Sequence, residues 1–158
     1  MNIQFKRIYS EQKQICEKFG KCDINISSEY RNNNIDYKYF ISLNLDNIDL
    51  KIILEDKYPF TPPILYINEK LYNNMLSLQD IFIKGELRKM DIECLCCKSK
   101  LCYNNWSPSY KLVEIIDEYM ENRNIIIKII YRKYLLLINK SNDNIFPQEI
   151  IEVISQYF

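Results

Sequence analysis

Six cysteines and no histidine set the limits of the chemistry this 158-residue chain can carry. Without an imidazole, Cys-His proteases, Ser-His-Asp hydrolases and His-ligated zinc hydrolases are all excluded. Thiol chemistry remains. Cys94, Cys96, Cys97 and Cys102 lie close together, and a thiolate is a strong nucleophile near neutral pH even as a minor species. Two other readings stand beside this one. A free cysteine is often a small buried hydrophobe. Four thiolates could also ligate zinc, but these lack the two separated Cys-x-x-Cys pairs that let four sulfurs converge on a tetrahedron.

Composition narrows the setting. The 21 basic and 21 acidic side chains cancel, which gives no electrostatic reason to expect a nucleic-acid partner. No basic start, apolar run and small-residue cleavage site opens the chain, so no secretory signal is expected. The cysteines are then expected to be free thiols, in the cytoplasm or the nucleus. Within Ile125 to Ile138, Lys128, Arg132 and Lys133 interrupt the longest apolar stretch. It also falls short of the roughly 20 apolar residues a bilayer requires, so a packed helix is expected and no membrane partner. Length fits one domain, 1–158.

The elements that must position the cysteines follow from periodicity. Phe5, Ile8, Tyr9, Ile15, Cys16 and Phe19 recur at helical spacing, with Lys6, Arg7, Glu11 and Lys13 opposite and Gly20 as a stop. Cys22, Ile24 and Ile26 alternate with polar residues, as do Tyr37, Tyr39, Ile41, Leu43 and Leu45, and each run reads as a half-buried strand. A tight turn at Asp46-Asn47 joins the second to a third strand with Ile48, Leu50, Ile52 and Leu54. The prolines of Tyr58 to Pro63 remove ladder donors and force extended or turn geometry. Ile64 to Ile67 is a fourth strand.

From Asn68 to Asp91 the pattern assigns no element. Ser107-Pro108 reads as a cap and first turn, and Leu112, Val113, Ile116, Tyr119 and Met120 continue at helical spacing to about Ile138. Pro147 opens a last short helix with Ile150, Ile151, Ile154 and Tyr157 on its inner side. The fold class expected is α+β: an N-terminal helix, a four-stranded antiparallel meander and C-terminal helices.

That order, with Tyr58-Pro59-Phe60-Thr61-Pro62-Pro63 after the third strand and Trp106-Ser107-Pro108 later, resembles the ubiquitin-conjugating enzymes over roughly Ile3 to Tyr157. Catalytically silent RWD domains share the fold and a similar proline-rich element. Cys94-Leu95 followed by Trp106-Ser107-Pro108 is similar to the conjugating branch instead. The resemblance implies a UBC-like fold, and a cysteine that accepts ubiquitin or a related modifier from an activating enzyme and passes it to a lysine, usually with a ligase. It implies no cofactor and no metal.

Carried over residue by residue, the resemblance makes Cys94 the thioester carrier. Its distance from Trp106, 106 − 94 = 12, exceeds that of most members, and Cys97 at 106 − 97 = 9 is the alternative. The family's His-Pro-Asn element falls on Asn73, Asn74 and Met75, and a one-residue shift puts Asn74 in the asparagine's role. The acidic residue often found two positions after the family's cysteine is here Cys96. Partner-binding positions implied are Phe60, Ser107 and Pro108 for a ligase, with Lys6 and Arg7 for a ligase or the activating enzyme. Phe60, flanked by proline, reads either as a rigid exposed anchor or as plain core. A catalytically inactive variant, a module that binds ubiquitin, a ligase or a catalytic partner, is the alternative function.

Overall fold

The computed structural model describes residues 3–31, 34–77 and 80–141 of the chain. These divide into two compact units, one from Met1–Ser77 with Cys96–Glu118 and one from Leu78–Leu95 with Tyr119–Phe158.

The first unit opens with α1 (Ile3–Phe19), which buries Ile8 and Ile15 completely. Gly20, at φ +91°, ends it in a left-handed conformation that favours glycine, and its N–H returns to the Cys16 carbonyl at 3.0 Å. The turn brings Cys22, the first residue of β1, beside Cys16. The two form a disulfide with a Cα–Cα distance of 5.6 Å. Cys94 and Cys96 are disulfide-bonded as well, and Cys97 and Cys102 are free. The expectation of six free thiols is therefore corrected. It rested on compartment alone, whereas the Gly20 turn sets the pairing distance.

An antiparallel meander follows, β1 (Cys22–Arg31), β2 (Asn34–Leu45), β3 (Ile48–Leu54) and β4 (Ile64–Ile67). To these the chain adds a fifth strand, β5 (Lys70–Leu71), so the sheet has five strands in sequence order rather than four. Two-residue turns fix the register. Asp46 and Asn47 take φ 49° and 64° between Leu45 and Ile48, and Asn68 and Glu69 take 45° and 65° between Ile67 and Lys70. Both central residues in the left-handed region make the turn whose twist matches paired strands.

The period-two pattern selects the inner face. Tyr39, Ile41 and Leu43 of β2, Leu50, Ile52 and Leu54 of β3, and Leu65 and Ile67 of β4 are all buried. On β1 the expected alternation holds only partly, since Ile26 is 48% exposed. After β5, the short α2 (Tyr72–Leu76) buries Tyr72 and Leu76 and leaves Asn73 and Asn74 exposed.

The stretch left unassigned by sequence pattern also holds α3 (Ile81–Lys89) of the second unit. Asp80 caps it, accepting a hydrogen bond from the Ile83 N–H at 3.1 Å. Lys133 bonds the other carboxylate oxygen at 2.6 Å, and these contacts hold the Asp80 carboxyl below the usual carboxylate range. Ile83 and Leu87 are buried, and the buried Glu86 pairs with Lys89 at 2.6 Å and Arg132 at 2.9 Å.

A four-residue helix, α4 (Leu95–Lys98), precedes the long α5 (Leu112–Ser141). That helix starts at Leu112, about one turn later than Ser107-Pro108 suggests. Ser107 instead closes a separate turn, its carbonyl accepting from the Tyr110 N–H at 3.0 Å. Glu114 reaches back to the Lys111 N–H at 2.8 Å and caps the actual start. The helix expected from Pro147 lies outside the described residues. No helix among the described residues is long and apolar enough to cross a membrane.

Candidate functional site

The Tyr58-Pro59-Phe60 segment leaves β3 through a hydrogen-bonded turn. Tyr58 N–H donates to the Glu55 carbonyl at 3.0 Å, and Phe60 N–H to the Lys57 carbonyl at 2.7 Å. The Tyr58–Pro59 peptide is cis. The turn sends Tyr58 inward, at 2% exposure, and Phe60 outward, at 78%. Phe60 is therefore exposed and not part of the core.

The Trp-Ser-Pro motif lies against this turn. Trp106 donates its indole Nε1–H to the Pro59 carbonyl at 2.9 Å, and its ring stands 6.3 Å from that of Tyr58. Ser107 shares a 2.8 Å hydrogen bond with Ser109, and Pro108 is exposed. Phe60 and Trp106-Ser107-Pro108 are thus held together by side chain and backbone of a single unit.

Glu11 sits beneath this pair of loops. Only 4% exposed, it accepts from Arg7 Nε at 2.6 Å, from the Tyr58 hydroxyl at 2.6 Å and from the Leu112 N–H at 3.1 Å. Arg7 also donates from Nη2 to the Tyr110 carbonyl at 2.8 Å and lies over the Tyr58 ring at 5.5 Å. The carboxylate thereby faces the N-terminus of α5, where helix dipole and unpaired N–H groups favour negative charge. Burial, with Glu11 beside it, pushes the Tyr58 phenol far above its ordinary value.

This network was not anticipated from spacing, which set Glu11 and Arg7 on the polar side of α1. The signal available was an Arg and a Glu four apart, flanking the apolar stripe of Ile8 and Ile15. Arg7, expected on a partner surface, spends its guanidinium on Glu11, Tyr58 and Tyr110. Lys6 beside it is exposed.

The cysteine segment is tied to the same loops through backbone. Asn105, next to Trp106, donates from Nδ2 to the Cys97 carbonyl at 2.6 Å and to the Ser99 carbonyl at 3.1 Å. Glu118 of α5 accepts from Ser99 Oγ at 2.6 Å and from the Lys100 N–H at 2.8 Å. Cys97 is exposed and free, with its Sγ 3.9 Å from that of Cys96. Cys94 is half-exposed, belongs to the second unit, and has its sulfur in a disulfide. Asn74 is exposed on α2 of the first unit. So the first unit joins Phe60, Trp106, Ser107, Pro108 and the Cys97 backbone in one hydrogen-bonded arrangement, and Cys94 belongs to the other unit. A cleft of about 890 Å³ on the outer sheet face, rimmed by Lys21, Asp23, Asp49, Lys51 and Glu69, contains none of these residues.

Chemically, the first unit offers a free, exposed thiol at Cys97 and, separately, an exposed aromatic side chain at Phe60. A thiolate attacks an activated carbonyl, whereas a sulfur held in a disulfide must first be reduced. Comparison with protein-family models, curated proteins and solved structures finds no match to this chain.

Proposed function

We propose that this chain is a divergent ubiquitin- or ubiquitin-like-conjugating enzyme, carrying the modifier as a cysteine thioester and passing it to a lysine. The observation that carries the reading is the Trp106 indole bonded to the Pro59 carbonyl at 2.9 Å. It fastens the Tyr-Pro-Phe turn to the Trp-Ser-Pro loop with Phe60 projecting into solvent. That is how the family presents these loops to a ligase.

Reduced Cys94 is the carrier in this reading. Its thiolate attacks the activating enzyme's thioester carbonyl and releases that enzyme's thiolate. The acceptor lysine's amine then attacks the new thioester, the Cys94 thiolate leaves, and the amine loses a proton to solvent. Asn74 serves the oxyanion. Phe60, Ser107 and Pro108 face the ligase, and Lys6 a ligase or the activating enzyme, in the cytoplasm or nucleus.

A second reading, a non-catalytic module that binds ubiquitin, a ligase or a catalytic partner, draws on the disulfide at Cys94 and the Met75 in place of the family's asparagine. One assay separates them. The reduced protein is incubated with activating enzymes, their modifiers and ATP, and adducts are resolved with and without thiol. The enzyme reading expects a thiol-sensitive adduct that Cys94→Ala abolishes and Cys97→Ala retains; the reverse pattern moves the carrier to Cys97. Absence of any adduct across the modifiers sinks the enzyme and leaves the module.

A further inference from the structure

We infer that Glu11 is the positioning residue of the Phe60 loop: its carboxylate, buried under the loop, sets the geometry in which Pro59 receives the Trp106 indole and Phe60 is presented. The inference deepens the ligase-docking reading of Phe60 and rests on it for its function, while its physical content stands on this chain alone.

Arg7, one turn away on α1, and two segments far from it in sequence converge on one carboxylate. Oε1 takes the Arg7 Nε–H, and Oε2 takes both the Tyr58 hydroxyl and the Leu112 N–H. Tyr58 adjoins Pro59, whose carbonyl is the Trp106 acceptor. Leu112 opens the helix that follows Trp106-Ser107-Pro108, and the Tyr110 carbonyl between them is held by Arg7. Both loops are therefore anchored, one on each side, to the same residue of α1. Each of these three partners donates to Glu11, and the Arg7 Nε–H and Leu112 N–H can only donate, so the site suits an acceptor-only side chain, a carboxylate.

Glutamine tests this without changing shape. Its amide has one acceptor atom and one donor atom, so either orientation sets an N–H against Arg7 or against Tyr58 and Leu112. A donor facing a donor in a buried site loses the bond and leaves the partner unsatisfied. The loop, not the sheet, should register the loss, because Glu11 touches no strand residue among these contacts.

The chain has a single tryptophan, so one indole N–H resonance reports the loop. Hydrogen exchange at that indole is measured by NMR on the full-length reduced protein. Glu11→Gln is expected to speed it by roughly ten- to a hundredfold, the scale set by a lost charged hydrogen bond. Tyr58→Phe, which removes one of the three donors, should speed it by a smaller factor. Glu86→Gln, at a buried carboxylate of the second unit, should leave it at the wild-type rate. Equal acceleration by Glu11→Gln and Glu86→Gln, or none by Glu11→Gln, overturns the inference. Should Glu11→Gln fail to fold, Tyr58→Phe decides: an unchanged indole rate overturns the inference, and a faster one supports it. No modifier or ligase enters the measurement, so a failed charging assay would remove the proposed enzyme and leave this result standing.

Discussion

Among the described residues each unit buries one glutamate, and the two are held in different ways. Glu11 in the first, 4% exposed, is satisfied by the guanidinium of Arg7, one turn away on α1, and by a hydroxyl and a backbone N–H from two distant segments. Glu86 in the second, 8% exposed, is satisfied by two cations, Lys89 one turn away and Arg132 on α5. The Lys89 side chain is 65% exposed and the Arg132 side chain 22%. The exposed Lys89 ammonium can turn back to water when its partner goes, whereas the buried Tyr58 hydroxyl and the helix N–H of Leu112 cannot. Burial of the carboxylate is thus a poor guide to its importance; the mobility of its partners decides.

The largest expected effect is therefore Glu11→Ala, which strands the Tyr58 hydroxyl and the Leu112 N–H and should cost about 3 to 5 kcal/mol in urea unfolding. Glu86→Ala should cost less, about 1 to 3 kcal/mol, because the exposed Lys89 returns to water while the largely buried Arg132 guanidinium loses a partner. Equal losses would break the comparison.

Tyr58→Phe sharpens it. Loss of one hydrogen bond at a fully paired site should cost about 1 to 2 kcal/mol. The same substitution should change the alkaline limb. With the Tyr58 phenol raised in the folded state, the unfolded chain ionises first, so stability is retained below pH of about 10 and lost as pH rises beyond it. The wild-type minus Tyr58→Phe difference, measured from pH 8 upward, should shrink accordingly, and a difference that stays flat to the highest pH measured would contradict this.

Smallest is the effect at Asp80, whose exposed carboxyl is held low by Lys133 and the Ile83 N–H. A depressed value means the contribution is present above the ordinary carboxylate range, near pH 4, and is lost as pH falls through the folded value. Protection of the Ile83 amide, taken relative to its intrinsic exchange rate at each pH, should fall on acidification below that range, and Asp80→Ala should show the reduced protection already at pH 7.

Where partners are local, sequence was a sufficient guide. The α1 stripe, the Asp46-Asn47 turn and the inner faces of β2 and β3 depend on neighbours a few positions away, and each was readable. The Phe60 exposure was one of two readings left open, and only the Lys57–Phe60 turn decides it. α3 escaped because Ile81, Phe82 and Ile83 are consecutive and Gly85 interrupts the period, so its nine residues owe their helix to Asp80 capping and burial of Ile83 and Leu87. At the candidate site the illegible parts are those set by long-range contacts. The burial of Glu11 depends on positions 58 and 112, and the start of α5 on Glu114 winning over Pro108. The disulfide at Cys16 depends on a glycine turn.

The sheet itself carries one more consequence. Among the described residues its order ends at β5, two residues long, on one side and at β1, ten residues long, on the other. The two margins are unequal hazards. A ten-residue strand paired along one side is a template on which another extended chain can grow, whereas a two-residue strand offers almost no register. Asp23, Asn25 and Ser27, all exposed along β1, put polar groups where an incoming strand would need apolar ones. A single Asp23→Val exchange is accordingly expected to speed aggregation followed by light scattering, and an unchanged rate would exclude that margin as the place where growth begins.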